Sequence, residues 1–158
     1  MFLARHHATS LVGIIMNIEV RGPKFQGGSL QDCEIQGATL HNALFEGVAM
    51  FGADFLNSDL TDSEFYLVLA MGASFCGAIL KNVKFLGGNY QDVDFSNADL
   101  SGAIFSKDNM GGAVDLSGAN FSNAKINGVV FESALYDDST KFPVGFSTND
   151  KGLSLKAS

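Results

Sequence analysis

The chain has 158 residues and a net charge of −7, from 10 Lys and Arg against 17 Asp and Glu. That balance excludes sequence-independent nucleic-acid binding, which needs clustered positive charge. Two cysteines make no disulfide framework, and no apolar run approaches the length of a membrane span.

In chain order, Arg5, His6 and His7 precede a short apolar run, residues 11–16, that Gly13 interrupts. The arrangement imitates a secretory signal, but the run is too short and no small-x-small cleavage site follows. A cytoplasmic protein is expected. Ile14, Met16, Ile18 and Val20 alternate with Asn17, Glu19 and Arg21, as in a strand entering a larger structure. Residues 1–16 are assigned to a lead or cap.

From Phe25 a large apolar residue recurs at every fifth position: Leu30, Ile35, Leu40, Phe45, Met50, Phe55, Leu60 and Phe65, onward to Met110, with Ala70 the only undersized member. After an apparent one-residue insertion the series resumes at Leu116, Phe121, Ile126, Phe131 and Tyr136. A small residue stands two positions before each large one, and Gly, Asn or Asp stands two positions after most of them. Such residues tolerate the left-handed backbone of a tight corner.

A period of five fits neither a helix nor a single strand; it fits a chain that turns a corner every five residues. Like residues recur at every fourth repeat. Phe45, Phe65 and Phe85 form one series and Leu40, Leu60, Leu80 and Leu100 another, so one coil holds four repeats. The expected fold is all-β, a right-handed quadrilateral β-helix over residues 17–142 with about six coils and a length of about 30 Å.

Ala53-Asp54-Phe55, Ala98-Asp99-Leu100 and Ala119-Asn120-Phe121 follow the motif A-(D/N)-L-x-x. The pattern resembles the pentapeptide repeat family. Residues 135–143, reading Leu-Tyr-Asp-Asp-Ser-Thr-Lys-Phe-Pro, resemble the closing motif of many cyanobacterial and plant-type members. Residues 143–158 are assigned to a cap, using Phe142, Pro143 and Phe146 over the last coil, and a mobile polar tail. Asp108 falls where a small inward residue belongs, and burying its carboxylate would be costly. Residues 106–112 are therefore expected to bulge outward as a register correction.

No catalytic, metal-binding or cofactor-binding set emerges. His41 sits at a corner without a Cys or His at ligand spacing, and no nucleotide or nucleophile-elbow motif is present. Cys33 points inward and Cys76 outward, two coils apart, so both are expected to remain thiols.

Two surface features remain. Leu44, Phe51, Leu56, Tyr66, Leu67, Leu69 and Met71 occupy outward or corner positions where polar residues are expected, on two adjoining faces of the second and third coils. A contiguous apolar patch marks a contact site for a protein partner or a second copy. The other feature is acidic: Glu34, Asp54, Asp94 and Asp115 are expected along one face, with Asp59 and Asp99 on the next. Some members of the resembled family mimic duplex DNA and bind DNA gyrase, affecting quinolone action. The resemblance thus implies an alternative role as an acidic DNA mimic, although the projecting loops of quinolone-protecting members are not evident here.

Overall fold

A computed structural model describes residues 22–149 and 151–157. The expectations for the lead, the entering strand, His6 and His7 lie outside the described residues.

Six short strands follow at one per coil: β1 (Lys24–Gln26), β2 (Leu44–Glu46), β3 (Glu64–Tyr66), β4 (Lys84–Leu86), β5 (Ile104–Ser106) and β6 (Val130–Phe131). They pair in parallel and in chain order as one sheet, which forms the first wall of a four-sided solenoid. Phe25, Phe45, Phe65, Phe85, Phe105 and Phe131 lie in register, directly above one another. The other walls are ladders of single parallel bridges. Ser29, Ala49, Leu69, Asn89, Asp115 and Leu135 mark the second wall, Glu34, Asp54, Ser74, Asp94, Asn120 and Lys141 the third, and Thr39, Asp59, Ile79, Asp99 and Lys125 the fourth.

The inward residues alternate with these and are buried through the middle coils, while Phe25, Ile126 and Val129 near the ends are partly buried. Phe55, Phe75, Phe95, Phe121 and Phe142 form a second aromatic column on the third wall, with centroids 4.9 to 5.6 Å apart and rings nearly parallel. The two columns meet edge to face across the core, as Phe65 and Phe75 do at 5.8 Å and 82°. Both geometries suit the ring quadrupole, and each pair adds roughly 0.5–1.5 kcal/mol beyond area burial. Two polar inward residues are satisfied locally. Ser58 and Ser63 donate to the carbonyls of Ile35 and Leu40 at 2.5 and 2.9 Å. One coil above Ala70 on the same wall stands Tyr90, whose buried hydroxyl has no hydrogen-bond partner among the described residues.

The insertion differs from the sequence expectation. Phe105 pairs with Phe131, so the fifth coil is 26 residues long rather than 20. Six residues are added, not one. Met110 is 78% exposed and does not belong to the inward series, whose place on the second wall Leu116 takes. Residues 107–112 leave the wall as a closed outward loop, as the cost of burying Asp108 requires. Asp108 Oδ1 accepts the Met110 and Gly112 amides at 2.7 and 3.0 Å. A projecting loop is therefore present.

The far end also differs. Phe142 and Phe146 stack on each other at 4.8 Å, and Phe146 lies edge-on to Phe131. The polar stretch beyond does not trail away as a tail. β7 (Leu135–Tyr136) pairs in parallel with β8 (Ser154–Leu155), adding a seventh rung to the second wall. Lys156 closes the arrangement by donating to Asp115 Oδ2 at 2.8 Å. The solenoid thus makes about seven coils against the six expected. Among the described residues no helix is long and apolar enough to cross a membrane.

Candidate interaction surface

The four corners are not alike. Between the second and third walls, each coil closes with a tight-turn hydrogen bond such as Ala53 N to Met50 O at 3.1 Å. The next two corners do the same in the coils above the first, as in Ser58 N to Phe55 O and Ser63 N to Leu60 O. At the corner between the first and second walls no such bond forms among the described residues. There the strands run longest, and a glycine column marks the bend: Gly27, Gly47 and Gly87 have φ of 64°, 60° and 61°.

Leu67 interrupts this column. It holds φ at 52°, in the left-handed region, where a Cβ costs roughly 1–2 kcal/mol. Its neighbours share its character. Leu69 and Met71 on the second wall are 44% and 37% exposed, and Phe51 stands directly below Met71. Tyr66 lies on the adjoining edge of the first wall, with Leu86 in register above it.

The structure therefore brings Phe51, Tyr66, Leu67, Leu69 and Met71 onto the second wall and its two rims: Tyr66 and Leu67 at the corner with the first wall, Leu69 between the rims, and Phe51 and Met71 in the tight turns toward the third wall. It does not bring Leu44 or Leu56 to them. Leu44 stands on the far edge of the first wall between Lys24 and Glu64, and Leu56 stands on the third wall beside Asp54. Leu86 was overlooked, although its place after Phe85 matches that of Tyr66 after Phe65.

The outward loop leans on the same corner. The Tyr66 hydroxyl donates to Asn109 Oδ1. Asp108 Oδ2 lies 2.5 Å from where a Cβ on Gly87 would be, so the loop seats here only because Gly87 is bare. Met110, its amide held by Asp108, projects from this loop into solvent.

The acidic residues have a different arrangement from the one expected. Glu34, Asp54 and Asp94 do share the third wall, with Ser74 between them and Asn120 next, and Asp59 and Asp99 share the fourth. Asp115 stands on the second wall, above Asn89. The six-residue insertion moves every later residue back by one wall relative to a one-residue count.

Most of these carboxylates are engaged. Asp54, Asp59, Asp94, Asp99 and Asp115 each accept the amide two residues on, shaping their own corner, at 2.8 to 3.1 Å. Gln36 donates to Asp54 at 2.6 Å. Lys81 and Lys125 lie 3.6 and 3.9 Å from Asp99.

His41 Nε2 approaches Asp59 at 2.9 Å but makes no aligned hydrogen bond, so the contact is one of proximity. Partial burial pushes the Asp59 carboxyl up, but the Thr61 hydroxyl, His41 and the Thr61 amide together hold it below its ordinary range. Burial likewise opposes ionisation of Asp115, but Lys156, Ser117 and Gln91 bring its pKa down to about 2.

A shallow depression of about 590 Å³ lies at the top of the second wall, lined by Ser117, Asp137 and Lys156 among others. Asp137 is engaged by the Gly118, Ser139 and Thr140 amides. Among the described residues no group of acids, His and Cys is placed to hold a metal ion.

Comparison with known proteins agrees with this architecture. The pentapeptide repeats family matches residues 22–65, 78–114 and 115–135, in eight copies and over more than half of the chain. No curated protein sequence matches it. Among solved structures, a thylakoid-lumen pentapeptide repeat protein of Arabidopsis thaliana is 24% identical with a TM-score of 0.41, covering 76% of this chain and 66% of that one. A pentapeptide repeat protein from Nostoc is 21% identical with a TM-score of 0.34, covering 85% and 86%. Full-length QnrB1, a plasmid-mediated fluoroquinolone resistance protein, is 15% identical with a TM-score of 0.37, covering 91% and 94%. The chain belongs to the pentapeptide repeat family.

Proposed function

We propose that this chain is a non-enzymatic adaptor that holds a protein partner on the stretch of the second wall lined by Phe51, Tyr66, Leu67, Leu69 and Met71. The supporting observation is Leu67. A large side chain sits at a left-handed position where the coils on either side use glycine. Glycine would relieve about 1 kcal/mol of strain there. Strain kept inside a run of half-buried and exposed apolar side chains supports a contact role.

Among the described residues the core is filled by stacked rings and the depression at the top of the second wall is shallow, which favours binding over catalysis. The test is the double substitution Leu69→Asp with Met71→Asp. It should abolish partner retention in a pull-down while the circular dichroism spectrum stays the same. Retention by that variant would defeat the assignment.

The acidic alternative, a DNA mimic directed at gyrase, rests on the net charge of −7 and on the Glu34, Asp54 and Asp94 ladder. It is supported less well, because Asp54, Asp59, Asp94, Asp99 and Asp115 already serve their own corners, and Lys81, Lys125 and Lys156 pair with two of them. It predicts inhibition of DNA supercoiling that Asp54→Lys and Asp94→Lys weaken. A cytoplasmic location is part of the same reading.

A further inference from the structure

The adaptor reading leaves the partner unnamed, and the charge pattern of the walls narrows it. On the first wall Lys24, Glu64, Lys84, Glu46 and Glu132 face outward. The third wall carries Glu34, Asp54, Asp94 and Lys141, and the fourth Asp59, Asp99 and Lys125. The second wall differs. Over its lower four coils its outward residues are Ser29 and Gln31, Ala49 and Phe51, Leu69 and Met71, Asn89 and Gln91. None is charged. Along the wall itself charge enters with Asp115 in the fifth coil; at its rims stand Asp32 and Asp92 on one side, and on the other the outward loop with Lys107 and Asp108 against Tyr66 and Gly87.

We infer that this uncharged stretch is a docking face for a second copy of the chain, the two solenoids lying antiparallel and wall to wall. The inference rests on the adaptor reading and names its partner.

Two arguments select this occupant. The first is electrostatic. Two copies that each carry −7 repel, and they approach at least cost through the stretch of wall that bears no charge. The second is shape. A closed pair uses the same patch on both copies. A two-fold axis between the second and third coils, lying across the long axis, sets the third coil of one copy against the second coil of the other.

Leu69 then faces Ala49 of the second copy, and Leu67 faces Gly47, large against small in both cases. Phe51 meets Met71, an aromatic and a thioether. At the outer coils Ser29 meets Asn89 and Gln31 meets Gln91, uncharged polar groups able to hydrogen-bond, while Asp32 and Asp92 come together at the rim and oppose the contact. The antiparallel sense also matters: a parallel pair would bring Asp115 close to its own counterpart, whereas this arrangement carries it past the partner's first coil. Packed sheet faces lie about 10 Å apart, within reach of these side chains.

Four coils give a contact about 19 Å tall. On one wall of a slender rod, that buries less than the roughly 800 Å² per partner of a standard stable interface. The association is therefore reversible and depends on concentration.

The experiment is sedimentation of the full chain over a wide concentration range. Wild type should shift from monomer toward dimer as concentration rises, and added salt should strengthen the shift by screening the repulsion, Asp32 and Asp92 at the rim included. Ala49→Asp alone and Leu69→Lys alone should each stay monomeric at concentrations where wild type pairs, with unchanged circular dichroism. Mixed in equal amounts, they should associate again, because the carboxylate introduced in one copy then meets the ammonium introduced in the other.

A wild type that remains monomeric at its highest attainable concentration overturns the inference, whatever covers the wall. So does a mixture that fails to recover while wild type pairs. These outcomes separate from failure of the adaptor reading itself. A monomeric wild type whose lysate partner is lost with Leu69→Asp and Met71→Asp would leave that reading intact and sink only the self-docking.

Discussion

Two diagonally opposite corners of the solenoid are built on different principles. Where the third wall meets the fourth, the chain closes with hydrogen-bonded turns above the first coil, and Gly and Asn alternate over the first four coils. Asn57 projects upward over the corner, and its Oδ1 fills the space a Cβ on Gly77 would need. That corner is optimised for staying folded. Where the first wall meets the second there is no turn bond among the described residues, a leucine sits in a glycine position, and a six-residue loop is tolerated. The difference teaches that the repeat fixes a core and three corners tightly and leaves the fourth open to change; the apolar surface begins there, at Tyr66 and Leu67, and runs across the second wall to Phe51 and Met71.

The sharpest way to break this contrast is a matched pair of glycine substitutions. Gly77→Ala must adopt φ near 64° and also displace the Asn57 side chain, so it should cost about 2 kcal/mol. Gly47→Ala adopts a similar φ of 60° but meets nothing within 4 Å, so it should cost about 1 kcal/mol. Urea midpoints of the two variants measure this, and equal losses would erase the distinction between the corners.

Leu67→Gly should reverse the strain, raising stability by about 1 kcal/mol while weakening association through the lost side chain. A destabilised Leu67→Gly would mean that the leucine serves the fold, not a contact.

The upper second wall offers a pH test. The folded pKa of Asp115 is lowered from 3.8 to about 2, so its contribution is present above the ordinary value and is lost as pH falls toward 2. With the Lys156 end 42% exposed, that contribution is discounted to about 1 kcal/mol. Lys156→Met should lower stability by that amount at neutral pH, and the gap should close as pH falls toward 2. A gap that persists at low pH would assign the effect to lost packing.

The smallest effect is expected at Tyr90→Phe, which removes a buried hydroxyl without a partner among the described residues. A gain of about 0.5 kcal/mol or less in the urea midpoint is expected.

The core was legible before the structure because the inward phenylalanines obey a spacing that no other fold demands. The insertion was not, because Met110 falls five residues after Phe105 and imitates the inward series. Only Asp108 at a small position signalled that the chain had left the wall, and nothing local gave the length of the excursion. Asp115 was misplaced for that same reason. β8 was hidden as well. Two residues in a polar stretch have no period, and they pair only because Gly152 lies bare against the Phe131 carbonyl, where any Cβ would collide. The apolar surface could be read residue by residue, but its extent depends on which walls adjoin, and this set Leu44 and Leu56 apart from the rest.

The upward-pointing Asx residues have a consequence for how this molecule can change length. Each demands a compatible occupant one storey higher: Asp32 beneath Gly52, Asn57 beneath Gly77, Asn82 beneath Gly102. Removing a single pentapeptide would shift every later column by a quarter rotation, placing phenylalanine over leucine and a side chain over an Asx tip. Growth and shrinkage of the tower are thus quantised in whole storeys, and anything shorter has to be pushed outside it.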